Sequence, residues 1–404
     1  MAIGGMFRNI RGWFSRGRGL FVSGESDAGE AVTYDRVLAL GTAFACVRKL
    51  AESGSCLPFM MYTVEPGGVS RPDPDHPLSE LLGDQPNADQ PAQQFWEMVY
   101  VQLSLLGNHY SLIHRLAGRV IALEPLPPHP ETYCRRNASG AREFVVGTGP
   151  RAGVHKEADV FFIPGFGGEI DCGLSTIGAG RNTFGRMLSL EKHQAKLLAN
   201  GVRPNMVMTT NSTLNDEQRA MAKENLIKPF AGAGNAGGMM LLEGGFDVKA
   251  VTMTSADAQL LEQGRFGVTE ICRLFGIPPW LIGHTDGASN WGTGLEQQFR
   301  AFANVTLKPY TTRIVGEIRR QLMTRAERKS FEPAFDLEAL YEGDTMTMRR
   351  ADEIDVRSGI RPVNEIRARR GLPPIEGGDV ARMQAQMVPI VIDPNQGAGN
   401  EPQD

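Results

Sequence analysis

Residues Gly232 to Gly237, GAGNAG, reproduce the GxGxxG spacing with which dinucleotide-binding proteins cradle a pyrophosphate. That chemistry needs a strand before the glycines and a helix after them, so that the helix N-terminus faces the phosphates. Here the order is reversed: the helix-patterned NDEQRAMAKENLIKPF precedes, and the strand-patterned FDVKAVTM follows. No Lys followed by Ser or Thr closes a glycine run, so a P-loop is not formed, and neither GxSxG nor HExxH occurs. His193 falls among charges on a helical stretch and His284 in a polar loop, so both read as surface residues rather than members of a triad or metal site. The five cysteines, Cys46, Cys56, Cys134, Cys172 and Cys272, are odd in number and lack CxxC spacing. They read as reduced core thiols without zinc. No cofactor is expected, and catalysis has no positive support in the sequence.

With chemistry of that kind set aside, the elements become the subject. A chain of 404 residues suggests two or three structural units. With 22% charged and 41% hydrophobic residues it has a folded, soluble composition, and a net charge of -4 gives no global attraction to nucleic acid. No apolar run approaches a membrane span, and no cleaved leader is recognised. The first twenty residues carry Arg8, Arg11, Arg16 and Arg18 without an acid, interleaved with Phe7, Ile10, Trp13 and Phe14. This arm suits a membrane surface or a nucleic acid, or equally a terminus that packs on a neighbour.

Periodicity then predicts an α+β first half: a helix near 36–53, a strand at 58–64, a helix in PAQQFWEMVYVQLSLL, and further short strands. A long helix follows, with Phe184, Leu188, Ala195 and Leu198 on one stripe and Arg181, Lys192 and Lys196 on its flank. A compact α/β insertion comes next, then a helix from Ser255 that stops at Gly276 before Pro278 and Pro279. The small-residue loop HTDGASNWGTG ends at Thr293, which with Glu296 offers a capping box for a helix over 294–323, expected to kink at Pro309. Pro362 and Gly371 bracket a last helix, and a turn-rich tail ends the chain.

The series GLSTIGAGRNTFGRMLSLEKHQAKLLANGVRPNMVM, RFGVTEICRLFGIPPWLIG, SNWGTGLEQQFRAFANVTLKP and VNEIRARRGLPPIEGGD resembles the portal proteins of tailed bacteriophages, of the compact siphovirus type also found in prophages and gene transfer agents. The resemblance implies a portal fold assembled as a ring of roughly twelve subunits. Its parts would be a basic arm (1–29), a wing (30–177 with 294–344), two stem helices (178–200 and 255–276), a clip (201–254), a tunnel loop (283–294), a helical crown (345–380) and a flexible tail (381–404). By the same carry-over, His284, Thr285, Asp286, Ser289, Asn290, Trp291 and Thr293 form the loop in the DNA channel, and Arg181, Lys192 and Lys196 are candidate lining of the stem. Asp216, Glu217, Arg219, Lys223 and Lys228 are candidate docking residues of the clip.

The implied partners are further copies of the chain, double-stranded DNA, the terminase large subunit, the major capsid protein and a head-tail adaptor, with no small-molecule substrate. The implied place is the virion's portal vertex, after assembly in the host cytoplasm. One acid and many small residues suit a guide better than a glue, because each neutralised phosphate adds to affinity and would arrest sliding. Two rival readings are a membrane- or nucleic-acid-associated scaffold built on the basic arm, and a nucleotide-binding enzyme built on GAGNAG.

Overall fold

The computed structural model describes residues 24–65, 70–128, 131–169, 171–199, 206–210, 215–222, 246–250, 255–284, 294–341 and 345–381. It divides into two units, Met1–Leu337 and Glu338–Asp404. Unit 1 opens with a hairpin, β1 (Gly24–Glu25) and β2 (Ala31–Val32), then α1 (Tyr34–Ala39) and α2 (Gly41–Ser55). The single helix expected near 36–53 is therefore two. Leu40 takes an extended conformation (ψ 116°) and donates its N–H back to the Val37 carbonyl, which ends the first helix before Gly41 starts the second.

β3 (Phe59–Val64), β4 (Ser70–Pro72) and α3 (Pro77–Gly83) lead to α4 (Ala92–Leu106), the central element. α2 buries Ala43, Cys46, Val47, Leu50, Ala51 and Gly54, one face at helical spacing. α4 instead buries residues around most of its circumference, among them Phe95, Trp96, Val99, Tyr100, Leu103 and Leu106. At Gly54 a Cβ would lie 2.3 Å from the Tyr100 ring, so glycine is what lets these two helices touch.

The chain then forms β5 (Asn108–Leu116), β6 (Arg119–Pro125), β7 (Thr132–Arg136), β8 (Arg142–Val146), β9 (Gly153–Lys156) and β10 (Val160–Pro164). They build two antiparallel sheets, β10-β5-β6 and β7-β8-β9, around a core of Tyr110, Phe144, Val160 and Phe162. Among the buried polar groups of this layer, His109 is paired at both ring nitrogens, whereas the Thr132 hydroxyl on β7 has no partner. His109 is wholly buried, and burial pushes its pKa down to about 3, so it is neutral. Its Nδ1 lies 2.8 Å from Gln102 Oε1, an acceptor only, so Nδ1 carries the proton and Nε2 accepts from the Ser111 hydroxyl at 2.8 Å.

Two long helices, α5 (Arg181–Ala199) and α7 (Ser255–Phe275), flank an insertion containing β11 (Met206–Thr210), α6 (Asp216–Ala222) and β12 (Phe246–Ala250). β11 and β12 pair antiparallel, Met206 opposite Ala250. After α8 (Gly294–Ala301) comes a π-helical segment, Phe302–Leu307, and then α9 (Lys308–Gln321). The irregularity expected at Pro309 thus takes the form of a π turn directly ahead of it. Proline offers no N–H to the carbonyl one turn back, and the wider turn accommodates that gap. The Gln321 side chain then pairs with both backbone groups of Phe162 (2.9 and 2.6 Å), which ties α9 to the edge of β10. The last strand of unit 1, β13 (Phe331–Phe335), returns to pair antiparallel with β3, giving the sheet β13-β3-β4.

Unit 2 contains α10 (Thr345–Arg357) and α11 (Val363–Arg369). Its turn-rich exit is gathered by Asn364, whose amide donates to Ile375 O (3.0 Å) and Asp379 (2.9 Å) and accepts from Ile375 N–H (2.8 Å).

Gly107 ends α4 in the left-handed region (φ 73°), and a Cβ there would lie 2.2 Å from the Leu174 carbonyl oxygen. Gly107→Ala is expected to cost about 2–4 kcal/mol through backbone strain and this overlap. Thermal unfolding monitored by circular dichroism checks it, with a drop of several degrees as the expected outcome.

Candidate functional site: the helix pair and the base of the loop

α5 meets α7 through apolar and small residues. Phe184 and Phe275 have ring centroids 6.1 Å apart, Met187 sits where any Cβ on Gly267 would intrude, and Arg186 pairs with Glu270. α7 is joined to α2 by Cys272, whose sulfur lies 3.8 Å from that of Cys46, both fully buried. The pair's mutual hydrogen bond and burial hold the Cys46 proton firmly. All five cysteines are free thiols, but only these two are core residues: Cys56 is exposed, and Cys134 and Cys172 are half-buried. The uniform core assignment therefore needs correction.

The neighbouring face of α5 is covered by the β1–β2 hairpin. Gly24 lies over the Arg181 guanidinium, and Ser26 occupies the space left by the missing side chain of Gly185. Asn182 donates to Asp27 (2.6 Å) and accepts from its N–H (3.2 Å). Lys192 pairs with Glu30 at 2.7 Å. At 100° per residue, 181, 185 and 192 share one flank, the same flank that stands out in the sequence. Glu30 also accepts from Arg36 of α1 at 2.6 Å, so one carboxylate holds cations from two helices. These hydrogen bonds, Lys192 first and Arg36 second, depress its pKa. Lys196, one turn beyond Lys192, is exposed. Glu30 is the functional partner that sequence reasoning missed. Its only signal was an acid in a Gly-flanked turn far from the helix it serves.

At the far end of α7 the chain turns through Gly276 (φ 65°) into a short 3-10 helix, Pro279–Ile282, and through Gly283 (φ 80°) to the half-buried His284. Of the loop residues, Thr285, Asp286, Ser289, Asn290, Trp291 and Thr293 lie outside the described residues. The two roots of that segment are held together. Trp280 meets Phe299 of α8 edge-on at 5.0 Å, and the Thr306 hydroxyl of the π segment donates to Gly276 O at 2.7 Å.

In the insertion, Asp216 and Glu217 are exposed in the first turn of α6, where carboxylates complement the helix dipole. The Arg219 side chain, Lys223, Lys228 and the GAGNAG stretch lie outside the described residues. Among the described residues no His, Cys, Asp and Glu side chains converge as a metal set, and no helix is long and apolar enough to cross a membrane.

Glu30→Gln is expected to loosen the hairpin, raising hydrogen exchange over residues 24–32 while leaving the α4 core protected. The sign of the pH effect follows from the depressed pKa. The carboxylate's contribution is complete above the ordinary carboxylate range and is lost as pH falls through the lowered value. Exchange profiles of the wild type at neutral and acidic pH should therefore converge with that of the variant only at the acidic end.

Comparison with known proteins places this geometry. The phage portal protein family matches residues 41–371. The portal protein of Enterobacteria phage HK97 is 30% identical over 408 aligned residues, covering 96% of this chain and 93% of that protein. Among solved structures, a chain in the neck of an empty gene transfer agent particle, computed with C6 symmetry, superimposes with a TM-score of 0.59. It is 24% identical, with 87% of this chain and 97% of that chain covered. A chain in the neck of the native particle, computed with C12 symmetry, gives 0.57 at 22% identity, covering 91% and 99%. The shared fold, the family match along most of the chain and the full-length relative agree: this chain belongs to the phage portal protein family.

Proposed function

We propose that copies of this chain, about twelve, close into a ring at one capsid vertex and conduct double-stranded DNA inward during packaging and outward during ejection. The observation that carries the reading is the loop base. The polar, small-residue sequence 285–293 joins two roots pinned by Trp280–Phe299 and Thr306–Gly276. Fixed roots joined by a sequence with one acid and no lysine or arginine suit a guide that touches DNA without retaining it. His284, Thr285, Asp286, Ser289, Asn290, Trp291 and Thr293 are its residues. Lys196 is the member of the basic flank best placed to reach the channel, with Arg181 and Lys192 holding the hairpin instead.

The clip is the insertion 201–254. Asp216 and Glu217, with Arg219, Lys223 and Lys228 in the same stretch, make it a mixed-charge docking surface for the terminase large subunit and later for the head-tail adaptor. The wing is 30–177 with 294–344, the crown 345–380, and the major capsid protein surrounds the ring. Assembly takes place in the bacterial cytoplasm. ATP hydrolysis falls to the terminase, because this chain has no P-loop.

Negative-stain imaging and native mass spectrometry of the purified chain test the assembly, and closed rings with a central hole are expected. Trp291→Ala is expected to leave those rings intact and slow DNA packaging in a complementation assay, as is deletion of 285–293. Wild-type packaging after the deletion would remove the loop from the conduit. Loss of rings in the Trp291 variant would assign that side chain to the subunit interface.

A further inference from the structure

Two of the five cysteines meet although 226 positions separate them in the chain. Cys46 lies on α2 and Cys272 in the last turn of α7, with their sulfurs 3.8 Å apart and no exposed surface on either residue. Ala43, Val47 and Leu50 beside the first and Ile271 and Phe275 beside the second are buried as well, so the thiols face each other inside apolar core. A disulfide needs sulfurs about 2.05 Å apart, so each has to move about 0.9 Å, a step that side-chain torsion and a small approach of the helices can share. The pair is also polarised. Cys46 donates its S–H to Cys272, which draws the Cys272 pKa down, while the same bond and burial push that of Cys46 up. Cys272 is therefore the sulfur that ionises first, and the thiolate is the reactive form.

We propose that this pair is an oxidation site, at which hydrogen peroxide closes Cys46 and Cys272 into an intrachain disulfide that joins α7 to the core. The oxidant has to be small and uncharged, because neither sulfur offers surface to a bulky or ionic one. The Cys272 thiolate attacks one peroxide oxygen, the O–O bond breaks, and the departing hydroxide takes up the proton that Cys272 released. Cys272 is then a sulfenic acid. The Cys46 sulfur displaces hydroxide from it to form the S–S bond, and the Cys46 proton converts that hydroxide to water. Two thiols and one peroxide thus give one disulfide and two waters. Cys272 stands four residues before Gly276, whose carbonyl accepts the Thr306 hydroxyl, so the bond fixes the root of the loop to α2. The portal reading supplies the occasion, a particle assembled in a reducing cytoplasm and later released from it. The chemistry itself does not rest on that reading.

The test treats the purified full-length chain, reduced and then freed of reductant, with hydrogen peroxide at neutral pH. The chain is then freed of peroxide, alkylated in denaturant and digested without reduction for peptide mass spectrometry. A peptide pair linked through Cys46 and Cys272 is expected. Because the bond closes a long loop of chain, the thermal transition of the oxidised protein should rise by several degrees and return on addition of dithiothreitol. Cys46→Ala and Cys272→Ala should each remove both the linked pair and the shift. The exposed Cys56 shows that the oxidant was active. Recovery of Cys46 and Cys272 as alkylated thiols while Cys56 is oxidised would overturn the proposal, as would arrest of Cys272 as a sulfinic acid. These readouts need only the folded chain. A chain that forms the bond but no rings would sink the portal reading and leave this one standing, and rings without the bond would do the reverse.

Discussion

Everything in unit 1 depends on a helix buried around most of its circumference. Ala92–Leu106 has no broad solvent face on which to leave polar groups, so each one inside must find a partner or cost free energy. Trp96 donates to Leu82 O at 2.8 Å, and Gln102 accepts from a neutral His109. Around this axis the remaining elements take positions they could not hold alone. α2 approaches as closely as Gly54 allows, the returning strand Phe331–Phe335 brings Phe335 within 5.2 Å of Trp96, and the turn at Gly107 starts the sheet that carries His109.

The long helices α5 and α7 inherit their positions from that core rather than from each other alone. At the core end, α7 is fixed by Cys272 against Cys46, and α5 by the helical turn whose Ser175 bonds the last turn of α4. Along its length α5 is held by the hairpin through Glu30, whose two cations come from α1 and α5. A largely buried carboxylate that accepts from both cations ties the hairpin to α1 and α5 at once, and losing either cation leaves it paired with the other. The start of α5 is thus held at three places, by the turn at Ser175, by Asn182 on Asp27 and by Lys192 on Glu30.

The helices and their order were legible because they are local: periodicity, glycine stops and proline positions are written within a turn or two. The break at Leu40 escaped that logic because the apolar spacing continues across it, and only backbone geometry separates α1 from α2. The π segment was half legible. Pro309 announced an irregularity, but its form depends on Phe302, Ala303, Thr306 and Leu307 being buried together and on Thr306 reaching Gly276 thirty residues earlier. For the basic flank, spacing found Arg181 and Lys192, and no local rule could show that Glu30 neutralises the latter across 162 residues.

The π segment also bears on how the loop is held. A π turn carries one residue more than the α register, so the side chains before and after it face directions that an uninterrupted helix would not allow. Here Phe299 is aimed at Trp280 on one side of the turn, while Tyr310, on the other, reaches Tyr100 of the central helix at 5.8 Å. Both contacts come from the helical run 294–321, and they serve different masters: one closes the root of the loop, the other anchors in the core. The widened turn lets one run of chain do both.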